Sequence, residues 1–514
     1  MTDIVLPLLI AVPIVAAVAP LLLSLWSTET GWPVATVAAL IETGLAAILL
    51  RSVYLDGRLV HEVGGYPAPY GIELVGDGLS APIVALVAVV SLGVVAFARS
   101  AGPRRNSFYS AYLLCVGGLM GISITGDLFN MFVFLEITGL ATYALVAADR
   151  SGESAIAALK YLLLGTTGAS LFLIGVGYAL IATGTLNMVD LSAQLADIYT
   201  TPGGSRVVLA SFGFIAVGLA LKAAIFPLHT WQPDAYTYAP DTVTVFIAAL
   251  ASTVYAYALG RVVLTVFTVD FFDAVPLAQD GLLALATVSI LAGSALAAVQ
   301  SEVKRMFAYS SVAQFGLVVA AFALATPDSV LGGVIHLVGH GLMKGGLFAA
   351  AAILAARHGA RTVDDYARLG YRSPVVAAAL GVLGFALVGV PPSIGFLGKW
   401  YVALGAVRAE AWPVAVVVFL STLFTLVYVA RLLERLYFAD PGSAPTPAPG
   451  DTEAVADGGD ESEEDRIDSR APEAVSVGMV AVVVLTALVV VALGFATSGF
   501  ETLLEPVLSE VFSQ

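Results

Sequence analysis

Fourteen apolar stretches, each close to the roughly 20 residues that cross a bilayer as a helix, dominate the 514-residue chain. They fall at about 3–24, 32–51, 78–98, 108–125, 128–146, 157–182, 206–226, 241–266, 280–299, 306–325, 329–356, 374–404, 412–438 and 474–497. A soluble fold has no interior large enough to hide that much apolar surface. Composition agrees, with 59% hydrophobic residues, 12% charged residues and a mean hydropathy of +0.92, where soluble domains carry about a quarter charged. An ordinary cytosolic enzyme is excluded, and the bilayer is the solvent. The opening Met1-Thr2-Asp3 has no basic segment, so the first stretch reads as a retained helix and not as a signal peptide.

Cys115 is the single cysteine, which leaves nothing for an intrachain disulfide or an iron–sulfur cluster. Phosphate-binding glycine loops and nucleotide fingerprints are missing too. No cofactor, metal or nucleic-acid partner is therefore expected. With the N-terminus outside, fifteen of the 23 Lys and Arg fall in inside segments and five outside, Arg261 among the five. The remaining three, Lys222, Lys344 and Lys399, lie within apolar stretches. The positive-inside rule then places both termini outside. Residues 440–473 hold eleven Asp/Glu and two Arg next to a Pro/Gly-rich run, a composition expected to form a disordered acidic cytoplasmic linker.

Ionisable groups inside apolar stretches carry the functional signal, since each costs about 2.5–3.5 kcal/mol at the centre of a membrane helix. Glu136 lies near the middle of the fifth stretch, in Phe-Val-Phe-Leu-Glu-Ile-Thr (132–138). A neighbouring helix can satisfy such a carboxylate, but inside a membrane it is a functional candidate by default. Asp127, at the mouth of the same helix, reads as a cap or a loop contact. Pro227 follows Lys222 in Lys-Ala-Ala-Ile-Phe-Pro-Leu-His (222–229), and Lys399 follows Pro391-Pro392. Proline removes a backbone donor and breaks the helix, and broken helices at membrane depth mark ion-translocating transporters. Two such breaks, each beside a lysine and in different halves, point to a duplicated architecture. His336, His340 and Lys344 recur every four residues, which places them on one helix face over roughly 12 Å. That row reads as a proton relay, with a structural polar stripe as the alternative. His229 is expected to line the mouth of the first break. His61 and His358 read as solvated loop residues, and Trp32 and Trp412 as interface anchors.

Together these segments resemble the antiporter-like subunits shared by respiratory complex I, membrane-bound hydrogenases and Mrp-type cation/proton antiporters. The likeness runs from about residue 61 to 439. It rests on Gly64–Ser80, the Glu136 segment, Lys222–Asp234, Val-Lys-Arg-Met-Phe-Ala-Tyr-Ser-Ser-Val-Ala-Gln (303–314), His336–Lys344 and Gly389–Lys399. The resemblance implies an all-α polytopic membrane protein of about 14 transmembrane helices with two inverted five-helix repeats, each containing one broken helix. Residues 1–107 would form helices 1–3 with an extracellular hairpin, 108–267 the first repeat, 280–438 the second, and 474–514 helix 14 and a tail. The resemblance further implies that Glu136 pairs with Lys222, that Lys344, His336 and His340 carry the central and second-half route, and that Lys399 is its terminal lysine. Ser252, Thr253, His229 and Asp234 form a secondary set.

Within the family the chain resembles the D-type component of Mrp antiporters, through its Gly64–Ser80 hairpin, through Lys399 and through ending after its fourteenth stretch. In one place it departs from the pattern. The family lysine of the eighth stretch is replaced by Thr253, in Ser-Thr-Val-Tyr-Ala-Tyr (252–257), and that stretch opens Ala-Pro-Asp-Thr (239–242) where a serine is usual. A hydroxyl orients water but holds no proton charge, so either Ser252, Thr253 and waters bridge the gap or the relay is reduced. The expected function is ion translocation in a multi-subunit Na⁺/H⁺ antiporter of the plasma membrane, with other antiporter subunits, Na⁺, H⁺ and the bilayer as partners. The alternative is a non-catalytic proton-pumping subunit in the membrane arm of a complex I-like dehydrogenase or membrane-bound hydrogenase. A structural subunit with a decayed relay is a third reading.

Overall fold

The structure, a computed structural model, describes residues 2–25, 27, 29–199, 204–439 and 475–512. The acidic linker expected at 440–473 lies outside these residues. Helices α1 (Val5–Leu23), α2 (Gly31–Asp56), α3 (Ser80–Ala101), α4 (Asn106–Ile124), α5 (Leu128–Val146) and α6 (Gly152–Thr183) come first. Strands β1 (Leu59–Glu62) and β2 (Glu73–Gly76) pair antiparallel between α2 and α3, with Leu59 opposite Gly76. A short α7 (Met188–Tyr199) then leads to α8 (Gly204–Lys222) and α9 (Gln232–Tyr238). After α10 (Asp241–Ala274) come α11 (Pro276–Val299), α12 (Val303–Leu324), α13 (Pro327–His358), α14 (Pro374–Val388) and α15 (Ile394–Arg408). The last are α16 (Trp412–Tyr437), α17 (Val477–Ala492) and α18 (Thr497–Phe512).

Every one of the fourteen apolar stretches is helical. Among the described residues twelve helices are long and apolar enough to cross a membrane. The other two stretches are α8 and the one divided between α14 and α15. Helices α10 and α13 are each buried throughout their most apolar 18 residues, whereas α1, α2, α16 and α17 turn Val15, Val37, Val416 and Leu485 outward. An apolar flank of that kind suits lipid contact and would be costly in water.

Local chemistry sets the long central helix α13. Pro327 starts it, Thr326 and Ser329 form a reciprocal cap, and Gly359 ends it in the left-handed region at φ 68°. The two breaks expected at the prolines are present. Helix α8 ends at Lys222, and the Leu221 carbonyl there accepts from the Ala224 amide at 3.1 Å and from Trp231 Nε1 at 3.0 Å. Helix α14 ends at Val388, where Gly389 turns at φ 96°, a conformation that favours glycine. The chain resumes at α15, capped by Ser393, whose hydroxyl accepts from the Phe396 amide at 3.2 Å. Two π-helical turns, Ile247–Ala251 and Val263–Phe267, interrupt α10.

The hairpin defines one face of the bundle. Asp3 meets His61 there at 3.3 Å, and Glu510 of α18 meets Arg58 at 3.6 Å. On the opposite face Lys304 pairs with Asp241 at 2.6 Å and Arg435 with Asp364 at 3.3 Å. Three expectations are corrected here. Arg261 is not a loop arginine, because α10 continues past it and buries it against Asp77. His61 sits on β1 with a carboxylate partner. His358 closes α13 and contacts the Ser373 hydroxyl at 2.9 Å, though its side chain is exposed as expected. Asp127 caps α5, accepting from the Asn130 amide at 2.7 Å.

Sequence reading passes over Glu42, yet α2 buries it with both carboxyl oxygens unpartnered among the described residues. Burying an unpaired polar group costs roughly 1–3 kcal/mol. Glu42→Leu is therefore expected to raise the thermal midpoint of the assembled protein. A lowered midpoint, measured by a dye-free unfolding scan, would show that this carboxyl has a partner.

Candidate functional site

Helix α5 carries Glu136 toward the end of α8, where the Lys222 ammonium lies 3.5 Å from Glu136 Oε1. Lys222 is 1% exposed and Glu136 27% exposed. Lys222 Nζ also donates to Leu135 O and to the Tyr143 hydroxyl, both at 3.4 Å, and it lies 5.7 Å from the Tyr255 ring centre. All of these contacts are long, so no single acceptor grips the ammonium. An opposite charge at that distance offsets part of the cost of burying the ammonium.

Next along the interior is a hydroxyl and amide cluster below the first break. Gln232 Nε2 donates to Tyr236 Oη and to Ser252 Oγ, both at 3.1 Å. The carbonyl of Ile247, within the first π-helical turn, accepts from Tyr236 Oη at 3.3 Å. Single π-helical turns often occur at functional sites, and this one presents Ser252 and Thr253 to the bundle centre. Thr253 Oγ1 donates its one hydrogen to Ala249 O at 2.8 Å. Its oxygen also lies 3.5 Å from His340 Nδ1, and His340 Nε2 is unpartnered among the described residues.

Helix α13 holds the rest of the row. His340 packs on Phe315, with ring centres 4.4 Å apart. His336 Nε2 meets Gln314 Oε1 at 2.9 Å, and His336 Nδ1 is buried without a partner among the described residues. Lys344 Nζ donates to Phe307 O at 2.7 Å and to the Ser310 hydroxyl. All three side chains are fully buried. Helix α15 runs directly against His336: a Cβ added at Gly398 would lie 2.7 Å from His336 Cβ. One residue on, Lys399 Nζ donates to Leu387 O and Val388 O, each at 3.0 Å. Lys399 thus caps the carbonyl end of the broken helix α14, where a cation is electrostatically favoured.

The structure therefore buries Lys222, Ser252, Thr253, His340, His336, Lys344 and Lys399 inside the bundle, with the partly exposed Glu136 against Lys222. Asp234 is not part of this group. It sits between Lys160 at 2.6 Å and Arg305 at 3.2 Å, a pairing that suits the face opposite the hairpin. His229 is buried between the rings of Phe226 and Tyr309. Sequence reading missed Gln232, Tyr236 and Gln314 as members of the polar interior. Neutral polar side chains in apolar helices are the signal that marks them, because each needs a partner away from water.

Residues 125–425 match the family described as NADH:quinone oxidoreductase/Mrp antiporter, TM. NADH-quinone oxidoreductase subunit N of Desulforudis audaxviator is 39% identical, over 84% of this chain and 86% of that protein. The D component of the Na(+)/H(+) antiporter of Bacillus subtilis is 30% identical, over 80% and 83%. A chain of the membrane-bound sulfane sulfur reductase, an archaeal respiratory membrane complex, superposes with a TM-score of 0.85 and 31% identity, covering 99% of this chain and 97% of its own. These relatives are subunits of multi-subunit membrane complexes, and they do not favour the sodium antiporter over the redox complexes. A family match spanning more than half the chain, with relatives of 30% identity or more aligned over four-fifths of it, places this protein in the NADH:quinone oxidoreductase/Mrp antiporter membrane family.

Proposed function

We propose that this chain moves protons along the buried axis from Glu136 and Lys222, through Thr253 and His340, to His336, Lys344 and Lys399, and exchanges them for Na⁺ across the plasma membrane as one subunit of a larger complex. The observation that carries this reading is the juxtaposition of Lys222 with Glu136 at 3.5 Å inside a membrane bundle. Costly intramembrane charges of that kind persist where they translocate ions. Residues 108–267 and 280–438 then act as two inverted halves, each with one broken helix bearing or facing a lysine. The hairpin face is the outer face, because the basic loops concentrate opposite it. His229 lies at the first break, and Asp234, clamped by Lys160 and Arg305, borders the inner mouth of the first half.

A second reading is favoured by the 39% identity to a subunit named for NADH-quinone oxidoreduction. There the same axis pumps protons driven by redox subunits. Inverted vesicles holding the chain with its native partners separate the two. A Na⁺ pulse without any electron donor is expected to collapse a preformed pH gradient. Proton movement that appears only with an electron donor would replace the exchange reading with the redox one.

A further inference from the structure

A cavity of about 240 Å³ opens beneath the hairpin. Glu73, Asp77, Ser192, Arg261, Thr265 and Glu510 line it. Its rim is firmly built: Asn187 Nδ2 donates to Glu73 Oε2 at 2.8 Å, and isolated backbone bridges join Leu74 to Thr125 and Asp127 to Asn187. The Arg58–Glu510 pair at the rim is exposed on both sides. Deeper in lies the bonded pair Arg261–Asp77, 6% and 8% exposed. Arg261 Nε is buried and unpartnered among the described residues.

Arg261 also begins a column. Between its two π-helical turns α10 is regular over Ser252–Val262, so Tyr257 and Thr253 follow Arg261 at steps of one turn on the same face, over roughly 12 Å. Tyr257 is buried, its hydroxyl donating to Ser123 O at 2.8 Å. Thr253 is the residue that touches His340. The result is a polar cavity, a buried ion pair and a hydroxyl-bearing column that ends on the central axis. A purely structural ion pair needs neither the cavity outside it nor the column behind it.

We infer that this cavity is the hairpin-side port of the axis, admitting water and hydrated monovalent cations, with the Arg261–Asp77 pair as its gate and Tyr257 as the step to Thr253. The inference rests on the reading of the axis as a proton path. Because separating a buried ion pair is costly, the gate is closed at rest and opens only when Arg261 leaves Asp77.

Cys115 is buried, which allows the port to be tested with new cysteines in the assembled complex, in vesicles that expose the hairpin face to the bath. Ser192→Cys is treated with a bulky, membrane-impermeant cationic thiol reagent. It is expected to be labelled, and proton movement is expected to fall by roughly tenfold or more. The same reagent on Tyr70→Cys, an exposed hairpin position, leaves movement unchanged. Failure to label Ser192→Cys, or complete labelling with undiminished movement, overturns the port. If the complex moves no protons before labelling, the proton reading fails, and accessibility alone then decides the port. Tyr257→Cys is expected to react with a small hydrophilic thiol reagent from the hairpin side faster when combined with Asp77→Asn than with Asp77 intact. Equal rates overturn the gate whatever the flux.

Discussion

Lys222→Arg is expected to stop proton movement while leaving the complex assembled. A guanidinium keeps the positive charge beside Glu136, so the pair that sits at 3.5 Å is preserved in kind. Arginine does not give up its proton in proteins, so the site loses the step that a lysine performs. Proton movement should fall by roughly a hundredfold, the low end of what a positioned acid–base group contributes. Co-purification of the partner subunits checks assembly, and a pH-sensitive dye inside vesicles reads the flux. An active Lys222→Arg protein would mean that the Lys222 charge is structural and that the proton passes elsewhere.

At Lys399 two roles are expected to separate. Its ammonium holds the carbonyls of Leu387 and Val388 at the end of a broken helix. Lys399→Met leaves both without that donor, at a cost of about 1–3 kcal/mol for each buried group left unpaired. Lower thermal stability and loss of proton movement should follow together. Lys399→Arg can still donate to those carbonyls, so stability should largely return while proton movement does not. Recovery of both with arginine would make Lys399 a cap and nothing more.

Much of this architecture is legible in the sequence because the bilayer punishes exceptions. Glu136 and Lys222 stand out as charges in apolar runs, and their pairing follows once a family resemblance supplies the fold. Pro227 and the Pro391-Pro392 pair mark both breaks, since proline cannot continue the backbone ladder. The π-helical turns of α10 carry no comparable mark. No proline or glycine lies within Ile247–Ala251 or Val263–Phe267, and such turns arise from packing around them. Arg261 is hard to place from sequence for a related reason. Its partner Asp77 lies 184 residues away along the chain, and only the tertiary fold brings them together. Thr253 reads as a gap in the lysine pattern, while its contact with His340 depends on how α10 and α13 cross. Asp234 resembles a pathway residue in its motif, but two neighbouring cations, Lys160 and Arg305, hold it.

Proton movement by the whole complex, wild type beside Glu136→Ala, tests the central claim most directly. The complex is placed in sealed vesicles with its native partners and driven in turn by a Na⁺ gradient and by an electron donor. Wild type is expected to move protons under one of the two drives, and Glu136→Ala, assembled to the same level, under neither. Equal proton movement by the two proteins would contradict the account, because the pair of Glu136 with Lys222 would then hold the bundle together without carrying the proton.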